Sequence, residues 1–158
     1  MNLVHPQAGK PAQILLVDDN FDDVFLARRG FERSRFAVDI HHVVNGAECM
    51  AFLRKEGRYA TAPKPDIILL DLNMPVMSGR EVMEEIGADP SLRALPVVVL
   101  TTSENDLDVA DMYNLRCSSY IVKPVDFEKF QQVIREFTRY WFTLVVLPHD
   151  GTPSARLA

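Results

Sequence analysis

Polar residues of the kinds that bind metal ions and phosphate follow four short apolar runs of the chain. They are Asp18 and Asp19 after the run 14–17, Asp71 after 67–70, Thr101 after 96–100, and Lys123 after 119–122. Apolar runs of this length are typical of strands that are buried on both faces of a parallel sheet. Because the carboxyl ends of parallel strands open into one crevice, we expect these side chains to meet there.

The carboxylates in this set would repel one another if no cation lay between them. At an effective dielectric constant near 20, two unit charges about 4 Å apart interact by about 4 kcal/mol. Mg²⁺ favours oxygen ligands, keeps several waters and joins carboxylates to phosphates. The sequence therefore predicts a Mg²⁺ site formed by Asp18, Asp19 and Asp71.

The Thr101 hydroxyl and the Lys123 ammonium would complete a cradle for a phosphoryl group. A hydroxyl donates to one phosphoryl oxygen, and an ammonium pairs with another as a point charge. A carboxylate can itself accept the group, as in aspartyl-phosphate enzymes. The sequence has no glycine-rich nucleotide loop, and no Ser/His/Asp or Cys/His set follows the predicted strands. These residues favour transfer of a phosphoryl group from an outside donor to Asp71.

The composition indicates one globular domain that does not bind nucleic acid. The chain has 158 residues, 47% of them hydrophobic, and a formal net charge of −5. An acidic chain of this kind is unlike proteins that bind a phosphate backbone. No apolar run reaches the length of a membrane span, and the N-terminus does not read as a signal peptide. We therefore expect a cytoplasmic protein without a membrane partner, with Cys49 and Cys117 as buried, reduced thiols.

Strands and helices alternate along the sequence. Apolar runs predict strands at 14–17, 38–44, 67–70, 96–100 and 119–122, and the predicted helix caps are Asn20, Asn45, Ser78, Ser103 and Asp126. This order predicts an α/β fold: a doubly wound, five-stranded parallel sheet with helices on both faces. Residues 12–147 would form the domain, and residues 1–11 and 148–158 would be flexible. The long connection 55–65 is interpreted as a tolerated surface loop rather than a partner contact.

A stripe of apolar residues extends further than is needed to cover one face of the sheet. It runs along the last predicted helix and past its end, through Phe137, Trp141, Leu144 and Val145. Such a stripe either folds back on its own domain or forms a partner surface. Of these two arrangements, we expect a symmetric dimer through the C-terminal helix and extension.

The pattern resembles the response-regulator receiver domain of two-component signalling. The residues that carry the resemblance are the Asp18-Asp19 turn, the D-x-x-M-P-x-x-x-G run from Asp71 to Gly79, Thr101, and Lys123-Pro124, in this order over about residues 13–140. The resemblance implies a flavodoxin-like receiver fold in a signalling protein rather than an enzyme. Asp71 would accept a phosphoryl group from a phosphohistidine of a sensor histidine kinase. The backbone carbonyl of Asn73 would join the three carboxylates as a Mg²⁺ ligand.

The resemblance also implies a switch and a kind of partner. Tyr120 occupies the aromatic switch position, where its ring would fill space vacated when Thr101 is drawn to the phosphoryl group; the alternative is an ordinary strand aromatic. The peptide bond before Pro124 is expected to be cis. Three segments are similar to those of single-domain regulators that are partnered with bacterial phytochrome-type kinases. They are the connection 55–65, the Thr101-Thr102-Ser103 run and the tail with Trp141.

Two other classes of protein are compatible with parts of the pattern. A Mg²⁺-dependent phosphatase of the haloacid dehalogenase type also has an Asp nucleophile, but that residue follows the first strand in a DxD pattern. Here the first turn is Asp18-Asp19-Asn20, and the isolated Asp71 follows the third predicted strand. A phosphorylation-independent interaction module is the other alternative, and the complete set of pocket residues argues against it.

Overall fold

A five-stranded parallel sheet forms the centre of the molecule in the computed structural model, which describes residues 10–148. The strands are β1 (Ala12–Val17), β2 (Val38–Val43), β3 (Ile67–Leu70), β4 (Val97–Thr101) and β5 (Ser119–Val122), and their order is β2-β1-β3-β4-β5. All neighbouring strands are parallel. The predicted fold class is therefore confirmed. The expected flexible segments, 1–11 and 148–158, lie almost wholly outside the described residues.

Helices cover both faces of this sheet because each strand sends alternate apolar side chains to opposite sides. The helices are α1 (Phe21–Glu32), α2 (Gly46–Arg54), α3 (Gly79–Ala88), α4 (Asp106–Asn114) and α5 (Phe127–Arg139). Ile14 and Leu16 pack with α1 and α5 on one face. Leu15 and Val17 pack with α2, α3 and α4 on the other face. None of the helices in the described range is both long and apolar enough to cross a membrane.

Side-chain caps fix where most of the helices begin. Asn20, Asn45 and Asp126 accept hydrogen bonds from the first turns of α1, α2 and α5, and Ser78 forms a capping box with Glu81. The predicted cap Ser103 is wrong. Asn105 caps α4 through the Leu107 N–H (2.8 Å), whereas the Ser103 hydroxyl donates to Asp108 (2.6 Å).

The C-terminal extension folds back on its own domain. A π-helical turn, Tyr140–Leu144, follows α5, and Phe142 and Leu147 join the core beside α1. Ring centroids of Phe31 and Phe137 lie 5.9 Å apart, and those of Phe36 and Phe142 lie 6.1 Å apart. These ring contacts remove apolar surface from water, which stabilises the packed extension.

The predicted partner surface must therefore be corrected. Phe137 and Trp141 are core residues, only 4% and 8% exposed, because both rings pack in the core of their own domain, on the sheet face that α1 and α5 cover. Val145 is partly buried against the same core. Of the four residues predicted to form the partner surface, Leu144 alone is exposed, at 68%.

The peptide bond between Lys123 and Pro124 is trans, since no cis peptide bond occurs among residues 10–148. The expected cis bond is therefore wrong. A trans bond is the commoner isomer before proline as well, by roughly 0.5–1 kcal/mol.

Candidate functional site

The sheet register brings the predicted polar residues to one edge. Val17 of β1 pairs with Leu70 of β3, so that Asp18 and Asp71 leave neighbouring strands at the same level. Thr101 pairs with Val122, which puts Lys123 one residue beyond this pair. The strand order reverses between β1 and β3, where β1 has β2 on one side and β3 on the other. The crevice therefore lies where ligands bind in open α/β sheets.

Lys123 is the centre of a buried network of ion pairs. Its Nζ lies 2.6 Å from Asp18 Oδ2, 2.9 Å from Asp23 Oδ2 and 3.3 Å from Asp71 Oδ2. The lysine side chain is only 4% exposed. An ammonium has three N–H groups, and three carboxylates surround this one. The network therefore satisfies a buried charge that would be costly alone.

Burial and pairing shift the two most buried charges of the site. Burial raises the pKa of Asp18 to about 6, although the hydrogen bond from Lys123 opposes the shift. Burial lowers the pKa of Lys123, but its contacts with Asp18, Asp23 and Asp71 outweigh burial and raise the pKa above its ordinary value. Lys123 is therefore a permanent cation, and the crevice favours a further positive charge beside Asp18.

Three carboxylates form a group with the chemistry of a divalent-cation site. One oxygen from each of Asp18, Asp19 and Asp71 can be chosen so that all lie within 4.8 Å of one another. Backbone N–H groups orient two of them: Asn20 donates to Asp18 Oδ1 (2.9 Å) and Asn73 to Asp71 Oδ1 (3.4 Å). Asp19 is exposed, so the group is open to solvent on one side. Hard oxygen ligands with open positions fit Mg²⁺ or Mn²⁺.

The Thr101 hydroxyl is buried without a hydrogen-bond partner. The residue is 0% exposed, and its Oγ1 is the buried side-chain oxygen that remains unsatisfied within residues 10–148. An unpaired buried hydroxyl costs about 1–3 kcal/mol. A ligand with free oxygen atoms in the crevice would remove this cost.

Tyr120 is connected to the segment that follows Thr101. Its hydroxyl donates to the backbone carbonyl of Ser103 (2.9 Å), and its ring packs against the core between the sheet and α4. Burial raises its pKa, so the phenol remains a donor at neutral pH. A displacement of Thr101 would therefore be transmitted to the Tyr120 ring through the short segment from Thr101 to Ser103.

Residues 14–135 match the family described as the response regulator receiver domain. The chain belongs to this family. The resemblance inferred from the sequence motifs is thereby confirmed.

Individual relatives match this chain over nearly its whole length. Response regulator Rcp1 of Synechocystis sp. is 37% identical over 142 residues, which cover 90% of this chain and 97% of Rcp1. The phosphorylated cyanobacterial phytochrome response regulator RcpA has a TM-score of 0.85 and 40% identity, covering 89% of this chain and 100% of that structure. A Mn²⁺-bound form of Rcp1 has a TM-score of 0.84 and 37% identity, covering 88% and 100%.

Two contacts of the receiver site were not anticipated from the sequence. Asp23, in the first turn of α1, is one of the three partners of Lys123. His42 Nε2 lies 2.7 Å from the backbone carbonyl of Asp18, to which it must donate. The motif Asp18-Asp19 identifies its own residues, whereas these contacts depend on how α1 and β2 pack beside the crevice. The acidic first turn of α1, Asp22-Asp23, was the available signal.

Proposed function

We propose that Asp71 accepts a phosphoryl group from a phosphohistidine of a sensor histidine kinase. The observation that carries this proposal is the convergence of Asp71 with two groups suited to phosphoryl oxygens. One is the buried, unpartnered hydroxyl of Thr101, and the other is the ammonium of Lys123, 3.3 Å from Asp71 Oδ2. A carboxylate, a hydroxyl donor and a cation are the groups that such a transfer requires.

Each residue has a separate role in this reaction. An oxygen of Asp71 attacks phosphorus, the P–N bond breaks, and its electron pair goes to the nitrogen of the departing imidazole, which takes a proton from water. The Thr101 hydroxyl donates to one phosphoryl oxygen, and Lys123 donates to another. Because Lys123 is held by Asp18 and Asp23 at 2.6 Å and 2.9 Å, its third N–H is directed to the Asp71 side.

Mg²⁺ is the proposed cofactor, with Asp18, Asp19, Asp71 and the backbone carbonyl of Asn73 as its ligands. The bound cation would neutralise the negative charge that accumulates when a phosphoryl group enters an acidic crevice. The clustered carboxylate oxygens support this assignment. The Mn²⁺-bound structure of the relative Rcp1 also supports a divalent ion.

The proposed output is a change of the surface near β4 and β5. A phosphoryl group that accepts the Thr101 hydrogen bond would draw that residue and the following segment toward the crevice. Tyr120 is hydrogen-bonded to Ser103 in this segment, so its ring would move with it. A local charge would thereby select between two packings of one surface.

The relatives Rcp1 and RcpA suggest the kind of partner. RcpA is described as a cyanobacterial phytochrome response regulator, and a bacteriophytochrome-type kinase is accordingly the proposed phosphoryl donor for this chain. Such a kinase would present its phosphohistidine in the cytoplasm, where we place this protein.

A homodimer is proposed along α5. A groove of about 620 Å³ lies between β5 and α5, and only the small exposed parts of Phe137 and Trp141 line it. Lys129 and Glu136, which also line it, are two turns apart on α5. In an antiparallel second copy, each Lys129 would face the partner's Glu136. This self-complementary charge pattern suits a two-fold interface.

The decisive test is phosphoryl transfer to an Asp71→Asn variant. A phosphorylated sensor kinase should label the wild-type protein to one equivalent in Mg²⁺ and leave Asp71→Asn unlabelled, because an amide cannot accept the group. Asp22→Asn, an exposed aspartate that is not in the cluster, should be labelled like the wild type. Labelling of Asp71→Asn at the wild-type rate would contradict the proposal, and turnover of many equivalents of a small phosphodonor would indicate a phosphatase.

A further inference from the structure

Asp23 differs from the other two carboxylates that bind the Lys123 ammonium. Asp18 and Asp71 belong to the oxygen cluster that suits a divalent cation, whereas Asp23 does not. Yet Asp23 Oδ2 lies 2.9 Å from Lys123 Nζ, closer than Asp71 Oδ2 at 3.3 Å. The ammonium therefore has one strong partner outside the metal cluster.

A divalent cation and Lys123 would share two carboxylates, those of Asp18 and Asp71. A cation bound to Asp18 and Asp71 withdraws negative charge from both contacts of the ammonium and repels it across a short distance. The lysine side chain is buried and cannot turn its charge into bulk water without leaving the core. A carboxylate that the metal does not use would offset this conflict.

We propose that Asp23 is a positioning residue that holds the Lys123 ammonium while a divalent cation occupies Asp18, Asp19 and Asp71. This inference rests on the proposed function, because it assumes that those three residues bind the cation. It adds a role for a residue of α1 that is neither a metal ligand nor the phosphoryl acceptor. Asp23 keeps the lysine beside the crevice, where one N–H is available to the incoming phosphoryl group.

The position of Asp23 suits this role. It lies in the first turn of α1, and its backbone N–H donates to the Asn20 cap (3.1 Å), which fixes the turn. The positive end of the helix stabilises a carboxylate there. The Asp23 side chain is 23% exposed, so its carboxylate stays partly hydrated and does not bear the full desolvation cost of a buried charge. Asp22, the preceding residue, has the same charge and the same cap but is exposed.

The experiment is to measure the Mg²⁺ affinity of Asp23→Asn and of its matched control Asp22→Asn by isothermal titration calorimetry. Both variants lose one negative charge from the same helical turn. Asp23→Asn should bind Mg²⁺ about tenfold more weakly than the wild type, the lower end of the effect of one hydrogen bond to a charged group. Asp22→Asn should change the dissociation constant by about twofold at most, because its charge is exposed and screened.

Two further comparisons distinguish loss of the contact with the Lys123 ammonium from a general loss of negative charge. Asp23→Glu restores a carboxylate within reach of Lys123 and should recover most of the affinity. In a Lys123→Met background, Asp23→Asn and Asp22→Asn should have equal effects, because no ammonium remains to be held. Far-UV circular dichroism and thermal unfolding establish that each variant is folded.

The outcomes distinguish this inference from the proposed function. A wild-type protein that does not bind Mg²⁺ would contradict both. If the wild type binds Mg²⁺ and Asp23→Asn equals Asp22→Asn, only the role of Asp23 is overturned. That role is also overturned if Asp23→Glu binds as weakly as Asp23→Asn, or if the difference between the two asparagine variants persists without Lys123.

Discussion

Lys123 shows how one side chain sets the charge balance of the crevice. Removing one partner of a buried ion pair lowers stability more than replacing the whole pair by apolar residues, because the remaining charge stays buried without a counter-ion. Asp18 is 2% exposed and Asp71 8% exposed, and both contact the Lys123 ammonium. The lysine is therefore expected to contribute to stability in the absence of metal as well as to phosphoryl transfer.

Replacement of Lys123 by Met tests this contribution. The free energy of unfolding at pH 7 without metal should fall by about 3 kcal/mol, because Asp18 and Asp71 lose their buried counter-ion. Mg²⁺ should then stabilise Lys123→Met more than it stabilises the wild type, since at a given concentration a ligand that binds the folded state more tightly stabilises it more. Urea unfolding followed by circular dichroism measures both effects. Lys64→Met, at an exposed lysine, should be neutral, and an equally stable Lys123→Met would contradict the argument.

The two thiols give a second prediction at this scale. Burial raises the pKa of Cys49 to about 12 and also raises the pKa of Cys117 above its ordinary value. The reactive thiolate forms as pH rises toward the pKa, so at pH 8 almost all of each thiol is protonated. Ellman's reagent should therefore react with neither cysteine in the native protein at pH 8 and with both in denaturant. Rapid reaction of a thiol under native conditions would refute this.

The residues of the crevice differ in how far the sequence predicts them. Asp18, Asp71 and Lys123 each follow a strand and Thr101 is the last residue of one, and parallel strands bring such positions together however the helices pack. Asp23 reaches Lys123 only because the Asn20 cap fixes the first turn of α1 and the packing of α1 on the domain brings that turn beside the crevice. Contacts of this second kind depend on tertiary packing, which a local pattern does not contain.

At the scale of elements, the start of α3 is fixed by its contact with the segment that carries Asp71. Gly79 is the first residue of α3, and a Cβ at this position would overlap with the backbone carbonyl oxygen of Asp71. The Gly79 N–H also donates to the Leu72 carbonyl (3.0 Å). The D-x-x-M-P-x-x-x-G spacing thus reflects a close approach between a helix and the strand end.

The two glycines of α3 provide a matched pair of variants that test whether this close approach requires a glycine. Gly79→Ala should lower the free energy of unfolding by about 1–3 kcal/mol, because the added methyl group meets backbone that must move. It should also slow phosphoryl transfer by shifting Asp71. Gly87→Ala, where a Cβ meets nothing within 4 Å, should raise stability by about 0.5–1 kcal/mol. Chemical denaturation of both variants decides the point, and equal effects would contradict it.

The helix caps show where sequence reasoning about elements works and where it does not. Ser78 and Glu81 have the spacing of a capping box and form one. Ser103 is also a serine directly before a predicted helix, but its hydroxyl donates to Asp108, and Asn105 occupies the cap position. Competing caps within three residues have similar local energies, so the surrounding structure makes the choice.

At the scale of the whole molecule, the C-terminal extension is part of the folded domain. Trp141→Ala should therefore lower the free energy of unfolding by about 3–5 kcal/mol, the usual cost of removing a buried large aromatic ring. Leu144→Ala, three residues further on but 68% exposed, should cost less than about 0.5 kcal/mol. Thermal and urea unfolding provide the comparison. A Trp141→Ala variant as stable as Leu144→Ala would show that the extension does not pack on the domain.

The proposed homodimer depends on charge complementarity across α5, which is testable without disturbing the core. Lys129 and Glu136 are both exposed, so reversing either charge leaves the domain folded. Lys129→Glu should weaken self-association, because each altered residue would face the partner's Glu136 at the two-fold interface. The double variant with Glu136→Lys recreates the opposite-charge pairs in reversed order and should recover the dimer. Sedimentation velocity over a range of concentrations measures both. If the double variant associates no better than Lys129→Glu alone, these residues do not face each other, and an antiparallel α5 interface is excluded.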